Sequence, residues 1–118
     1  MSTTIVKEIG ALVPTFKEDK IVILFGPQAP EEIKEMSIIH EFEHHSEEPL
    51  QEGGTIEFDN QVYTITAVGT KANENLRELG HISIYFHSPP EDILPGSVFV
   101  SPHNFPDFNE GTLIKFKS

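Results

Sequence analysis

The chain contains no cysteine among its 118 residues, and Arg77 is its only arginine. The lack of cysteine excludes disulfides, thiolate metal centres and a cysteine nucleophile. A single arginine argues against an enzyme that clamps a polyanionic substrate, because bidentate guanidinium contacts are the usual means of doing so. The G-x-S-x-G, G-x-x-x-x-G-K-[ST] and G-x-G-x-x-G motifs are also missing, so a serine-hydrolase elbow and the common nucleotide-binding loops are not predicted.

Long apolar runs are absent as well. No stretch is long enough to cross a bilayer, and the first ten residues lack the basic region and apolar core of a signal peptide. We therefore expect a cytoplasmic protein with no direct membrane insertion. The length is typical of one domain, here residues 1–118.

Acidic residues dominate the charge, which is formally −11. Residues 31–59 hold ten acidic side chains and one basic side chain, Lys34, a net charge of −9. Nucleic acid and anionic membrane would be repelled by such a surface, whereas a basic or neutral protein partner would be favoured. Charge alone favours a simpler interpretation, in which the acidic surface only keeps the protein soluble. We expect this stretch to guide partner encounter rather than to touch a reacting group.

Nine prolines and eight glycines separate short apolar segments, a rhythm typical of an all-β domain. Two short helices are predicted, at Pro30–Met36 and Lys71–Leu79. The fold class is therefore mainly β, a compact barrel-like single domain with two short helices, because so many strands would otherwise leave exposed edges. The predicted strands are Thr4–Ile9, Lys20–Phe25, Ser37–Phe42, Thr55–Phe58, Gln61–Val68, His81–His87, Ser97–Ser101 and Thr112–Lys117.

Local patterns add detail to this prediction. The continuously apolar Lys20–Phe25 strand is expected to be central and covered on both faces. Asp59-Asn60 predicts a tight hairpin turn. Thr70 and Gly80 are the expected start and end signals of the second helix, and Leu76 and Leu79 should both face the core.

Histidine is the strongest candidate nucleophile, because neutral imidazole is nucleophilic near pH 7 without special activation. Alternation places His40 on one face with Ile38 and Phe42. This pattern fits a semi-exposed nucleophile on an apolar partner surface, with Ile38 and Phe42 as its rim. It also fits a half-buried structural histidine, and spacing alone favours that second interpretation. The six histidines are His40, His44, His45, His81, His87 and His103.

Other polar residues have two interpretations each. His81 could donate a hydrogen bond to a phosphate or simply begin a strand. Arg77 could meet a phosphate or pair with Glu74 one turn earlier. His44 and His45 either lie in a solvated loop or form part of a metal site. That site would draw further ligands from His40, Glu41, Glu43 and Glu47, but no recognised ligand spacing is matched, so no metal is predicted.

Several motifs together resemble a known family. The longest is Ile65-Thr66-Ala67-Val68-Gly69, followed after a short spacer by Asn75-Leu76-Arg77-Glu78-Leu79-Gly80-His81. The others are Ile38-Ile39-His40, Pro95-Gly96-Ser97-Val98 and the near-terminal Gly111–Phe116 segment. They resemble the glucitol/sorbitol-specific enzyme IIA component of the bacterial phosphoenolpyruvate-dependent sugar phosphotransferase system. The resemblance spans essentially the whole chain.

The resemblance implies a mainly β domain, no cofactor, and a phosphotransferase-system activity carried by a phosphohistidine. It implies that His40 accepts a phosphoryl group from the phosphocarrier protein HPr. It further implies that the group passes to the sorbitol-specific IIB domain of the IIB/IIC permease. A related sequence has a second histidine two positions after the phosphorylated one, where this chain has Phe42. His44 could take the place of that second histidine in assisting the transfer. His81 and Arg77 are the other candidate supporting residues.

Two other classes of function remain open at this point. One is a non-catalytic regulator that binds a protein partner through its acidic face. The other is a metal-binding barrel.

Overall fold

The computed structural model describes residues 2–45 and 48–118. Within this part of the chain there are eight strands, two α-helices and one 3₁₀ turn, Val13–Phe16, which the sequence did not predict. The helices are α1 (Glu31–Lys34) and α2 (Ala72–Leu79). The strands are β1 (Ser2–Ile9), β2 (Ile21–Phe25), β3 (Ile38–His44), β4 (Thr55–Phe58), β5 (Gln61–Val68), β6 (Ile82–Tyr85), β7 (Ser97–Ser101) and β8 (Leu113–Lys117).

The strands close into a barrel in the order β1-β3-β2-β6-β7-β5-β4-β8. Two of its pairs, β2 with β3 and β6 with β7, are parallel, and the other pairs are antiparallel. Closure pairs the strands all the way round and so leaves no long open edge. The predicted barrel-like, mainly β fold is thus confirmed, as is the two-residue turn Asp59-Asn60 between β4 and β5.

The core is the interior of the barrel, filled by the inward side of each strand. Its largest fully buried side chains are aromatic, and each of the four touches at least one other aromatic ring. Burial of this much apolar area is the main stabilising term for a chain without disulfides. These four side chains are Phe58, Tyr63, Phe86 and Phe116.

Strand β2 differs from its prediction. Val22 and Leu24 are buried, but Ile21, Ile23 and Phe25 on the other face are partly exposed. The expected coverage of both faces is therefore wrong. The barrel has a single layer of sheet, so only one face of β2 meets the core, and a continuous apolar run does not reveal this.

Helix α2 also departs from expectation at its two ends. Its N-cap is Lys71 rather than Thr70, and no side chain caps it. Leu76 is fully buried, as predicted, whereas Leu79 is 42% exposed. Leu79 is the last residue of the helix, where the barrel no longer covers it, so its position on the helical wheel does not bury it. Gly80 ends the helix in the left-handed conformation, as predicted.

Other boundaries shift by one or two residues, for example at β3, which ends at His44 instead of Phe42, and at β6, which is Ile82–Tyr85 instead of His81–His87. Helix α1 is shorter than the predicted Pro30–Met36, with Pro30 as its N-cap. Strand β1 begins earlier than predicted because Ser2 and Thr3 pair with β8. In residues 2–45 and 48–118, neither helix is long and apolar enough to span a membrane.

The contrast between the two leucines gives a stability prediction. We expect Leu76→Ala to lower the free energy of unfolding by about 2–5 kcal/mol, because it leaves a cavity where a fully buried side chain stood. Leu79→Ala is the matched control in the same helix and should lower it by less than about 1 kcal/mol. Urea unfolding followed by circular dichroism measures both. Equal losses in the two variants would contradict this packing of α2.

Candidate functional site

His40 lies in β3 and is buried, with only 1% of its surface exposed. The semi-exposed position expected of a nucleophile on a partner surface is therefore wrong, and the ring is more buried than the half-buried alternative as well. The ring is covered because the segment that follows α2 packs directly against it: the Gly80 carbonyl lies within hydrogen-bond distance of the ring. This contact joins residues 40 positions apart and is not visible in the sequence around His40.

The two ring nitrogens of His40 differ in their surroundings. Nε2 lies 2.6 Å from the carbonyl oxygen of Gly80. A carbonyl oxygen can only accept, so Nε2 is the donor in this hydrogen bond. Nδ1 is buried and has no hydrogen-bond partner among the described residues.

Gly80 reaches this position through its backbone conformation, with φ of 70°. A Cβ atom there would lie 2.8 Å from the backbone nitrogen of Gly26 and 3.0 Å from its Cα. Such distances require a glycine. The backbone nitrogen of Gly80 also donates to Leu76 at 3.0 Å, and that of Gly26 donates to Leu79 at 2.9 Å. The carbonyl that holds His40 is therefore fixed by the end of α2 on one side and by the residue after β2 on the other.

His40 lines a surface pocket of about 270 Å³ between β3, the end of β2 and α2. We call this the His40 pocket. Its other lining residues are Gly26, Pro27, Gln28, Glu41, Phe42, Leu76, Arg77, Glu78, Leu79 and Gly80. The pocket combines an imidazole, an amide and a guanidinium group. These are the groups that hold and transfer an anionic oxygen cluster such as a phosphoryl group.

Burial lowers the pKa of the His40 ring below its ordinary value of 6.5, and the hydrogen bond to the Gly80 carbonyl opposes this shift only in part. Desolvation acts against the charged form of the ring. His40 is consequently a neutral imidazole near pH 7, which is the form that carries a nucleophilic lone pair.

The two residues predicted to form the rim around His40 lie in different environments. Phe42 is half-buried, lines the His40 pocket, and has its ring centroid 5.5 Å from that of His40. His45 lies next to Phe42, with 4.4 Å between the two ring centroids. Ile38 is fully buried in the barrel core, so its prediction as a surface rim residue is wrong. Alternation along β3 predicted that Ile38 lies on the same face as His40 and Phe42. At Ile38 this face points into the barrel core and not to the surface.

Of the three candidate supporting residues, Arg77 alone lies in the His40 pocket. His81 is adjacent to Gly80 in sequence, yet its Nδ1 donates to the Leu24 carbonyl at 3.0 Å and its ring stacks on Phe25. His44 is exposed at the end of β3 and does not line the pocket. Proximity in sequence therefore did not identify the neighbours of His40.

The suggested metal ligands do not gather. Among residues 2–45 and 48–118 no group of three or more histidine or acidic side chains could hold a metal ion. Glu41 is instead 3.6 Å from Lys7 on β1, and Glu43 is exposed. Glu47 lies outside the described residues.

Sequence reasoning missed Gln28, whose side-chain amide donates to the Leu79 carbonyl at 2.7 Å. A Gly-Pro pair directly after a buried strand was the available signal, since it predicts a turn that presents the next residue. It also missed Asn73, whose side-chain amide exchanges two hydrogen bonds with the backbone of Leu50, at 2.8 and 2.9 Å. Asn73 thereby ties α2 to the segment that precedes β4.

A second pocket lies on the outer face of β6 and β7. Tyr85 and Phe99 stack at 4.9 Å there, with His87 edge-on to both. His40 is not among its lining residues.

The lowered pKa of His40 predicts a pH effect on stability. The unfolded chain takes up a proton on this ring below about pH 6.5, while the folded ring resists it. The free energy of unfolding should therefore fall as the pH drops below 6.5, by up to about 1.4 kcal/mol per pH unit from this group. His40→Gln removes this pH-dependent component. Urea titrations at pH 7.5 and pH 5.5 give the free energy of unfolding of both proteins. The value for the wild type minus the value for the variant should be smaller at pH 5.5 than at pH 7.5. A difference that grows over that range would contradict the assigned shift.

Comparison with known proteins shows the family of this chain. The family described as "PTS system glucitol/sorbitol-specific IIA component" matches residues 1–115. Glucitol/sorbitol-specific EIIA components from Shigella flexneri and Escherichia coli are each 34% identical over 117 residues, covering 98% of this chain and 93% of the relative. The crystal structure of a PTS system IIA component from Enterococcus faecalis superposes with a TM-score of 0.88 at 30% identity, covering 98% of this chain and 99% of the other. The chain therefore belongs to the glucitol/sorbitol-specific IIA family of the phosphotransferase system, which relays phosphoryl groups during sorbitol uptake.

Proposed function

We propose that His40 is the residue that carries the phosphoryl group in this relay. HPr would supply the group, and the sorbitol-specific IIB domain of the IIB/IIC permease would receive it. All three proteins would meet at the cytoplasmic face of the membrane. The observation that carries the proposal is that His40, alone among the six histidines, lines the pocket that contains the only arginine of the chain.

The state of the His40 ring supports this role. It is neutral near pH 7, so its lone pair is available without a separate general base. Phosphoryl transfer has a loose transition state and depends mainly on positioning and charge stabilisation. A ring held by the hydrogen bond to Gly80 supplies the positioning, and Arg77 supplies a charge.

Partner docking must also uncover the ring, since it is 1% exposed. Phe42 is its half-buried neighbour at the pocket surface, so we assign Phe42 to the contact with protein partners. The core position of Ile38 leaves it no part in that contact.

Two carboxylates reduce the net positive charge that the pocket can offer to a phosphoryl group. Glu41 and Glu78 both line it, and either would repel an incoming phosphoryl group. Glu41 is paired with Lys7, which partly offsets its charge. Arg77 is the cation within the pocket itself, and a hydrogen bond to a charged group is worth about 1.5–3 kcal/mol.

The central test is phosphoryl uptake by variants of His40. Wild-type protein incubated with enzyme I, HPr and labelled phosphoenolpyruvate should gain acid-labile, base-stable label, and His40→Ala and His40→Gln should gain none. His103→Ala, which removes an exposed histidine outside both pockets, is the control and should label normally.

Circular dichroism of each variant separates loss of the acceptor from loss of the fold. Normal labelling of folded His40→Gln would overturn the assignment. No labelling of the wild type, together with unchanged partner binding by His40→Ala, would favour a regulator that uses the acidic face.

A second test concerns Arg77. We expect Arg77→Ala to slow label uptake from phosphorylated HPr by about 10-fold to 100-fold, because the transferring group loses a charge-assisted hydrogen bond. Lys71→Ala removes an exposed cation from the N-terminal end of the same helix, outside the pocket, and is the matched control. Rates are compared at one fixed ionic strength, so that general attraction between the proteins is held constant. Equal slowing in both variants would assign the effect to net charge and not to the pocket.

A further inference from the structure

We infer that Nδ1 of His40 is the nitrogen that carries the phosphoryl group, and that the backbone carbonyl of Gly80 selects it. This inference rests on the proposed role of His40 and adds to it the identity of the reacting atom. Gly80 acts here as a positioning residue, through its carbonyl oxygen.

The first step in the argument is the tautomer of the free ring. The neutral ring carries one proton, and only a protonated nitrogen can donate to a carbonyl. The 2.6 Å contact with Gly80 places that proton on Nε2. Nδ1 then holds the lone pair, and a lone pair is what attacks phosphorus.

The second step concerns space at Nε2. The Gly80 oxygen occupies the direction in which a phosphorus atom bonded to Nε2 would have to lie. It cannot easily withdraw, because Gly80 is in contact with Gly26 and its neighbour Leu79 accepts from Gly26 and from Gln28. A phosphoryl group on Nε2 would also bring its anionic oxygens against a carbonyl oxygen.

The third step concerns Nδ1 itself. It is buried and unpartnered among the described residues. An unpaired buried polar atom destabilises the fold by about 1–3 kcal/mol. The atom that the fold leaves unsatisfied is the atom that a phosphoryl group would occupy.

The reaction then balances without proton movement. The Nδ1 lone pair forms the new bond to phosphorus while the bond between phosphorus and the donor atom breaks, and the donor atom keeps that electron pair. The proton stays on Nε2, and the Gly80 oxygen faces the positive charge that the ring acquires. On transfer to the acceptor, the acceptor's lone pair bonds to phosphorus, Nδ1 regains its own pair, and the ring returns to its starting tautomer.

The test uses full-length protein labelled with ¹⁵N in its histidine rings. Long-range ¹H–¹⁵N spectra of the unphosphorylated protein above the pKa of His40 should show a protonated Nε2 and a bare Nδ1. After phosphorylation by enzyme I and HPr, ¹⁵N–³¹P coupling should appear at Nδ1, with at least about ten times more Nδ1-phosphohistidine than Nε2-phosphohistidine. A tenfold preference is what a difference near 1.4 kcal/mol between the two sites produces.

A variant pair tests the part played by Gly80. Gly80→Ala must displace the carbonyl because of the close approach to Gly26, so the Nε2-protonated fraction of the ring should fall. Gly53→Ala is the control: Gly53 has a φ of 86° with no atom within 4 Å of the added Cβ, so it carries similar backbone strain without displacing the carbonyl. If Gly80→Ala does not fold, the wild-type spectra still decide the question.

The outcomes are distinct. Phosphorus on Nε2, or an Nδ1-protonated free ring, overturns this inference and leaves the role of His40 intact. Phosphorus on another residue, or on none, overturns the proposed function and this inference with it.

Discussion

The hydrogen bond between the His40 ring and the Gly80 carbonyl is the contact on which the arrangement of the site depends. It joins β3 to the end of α2, two elements that are far apart in the chain. The bond exists only because Gly80 adopts a left-handed conformation and approaches Gly26 closely enough to exclude any side chain. One backbone turn thus fixes the orientation of the imidazole and contributes to its burial.

Burial and reactivity are linked through that contact. Desolvation keeps the ring uncharged, and the carbonyl keeps its remaining proton on one nitrogen. A freely exposed histidine would interconvert between tautomers and would change its charge close to physiological pH. The fold therefore defines one chemical form of His40, at the expense of ready access to it. A partner that reacts with His40, as we propose, would have to rearrange the residues that cover the ring.

The sequence predicted the parts of this structure that depend on local rules. Strands bounded by proline and glycine, the Asp59-Asn60 turn and the Gly80 helix end all follow from neighbouring residues. Contacts between distant segments were not predictable in this way. The burial of His40 and Ile38, the place of Gln28 in the pocket and the exposure of Leu79 each depend on which segment packs on which. Family resemblance selected His40 among six histidines, which residue spacing could not do.

The amide pair between Asn73 and Leu50 bears on how the site can open. It anchors α2 at its N-terminal end, while the bonds from Gly26 and Gln28 to Leu79 anchor the opposite end. Held at both ends, the helix forms a fixed wall of the His40 pocket, and Phe42 on β3 lines the same pocket. The pocket groups that α2 carries, Arg77 among them, are thereby preorganised, so binding to them costs little further conformational entropy.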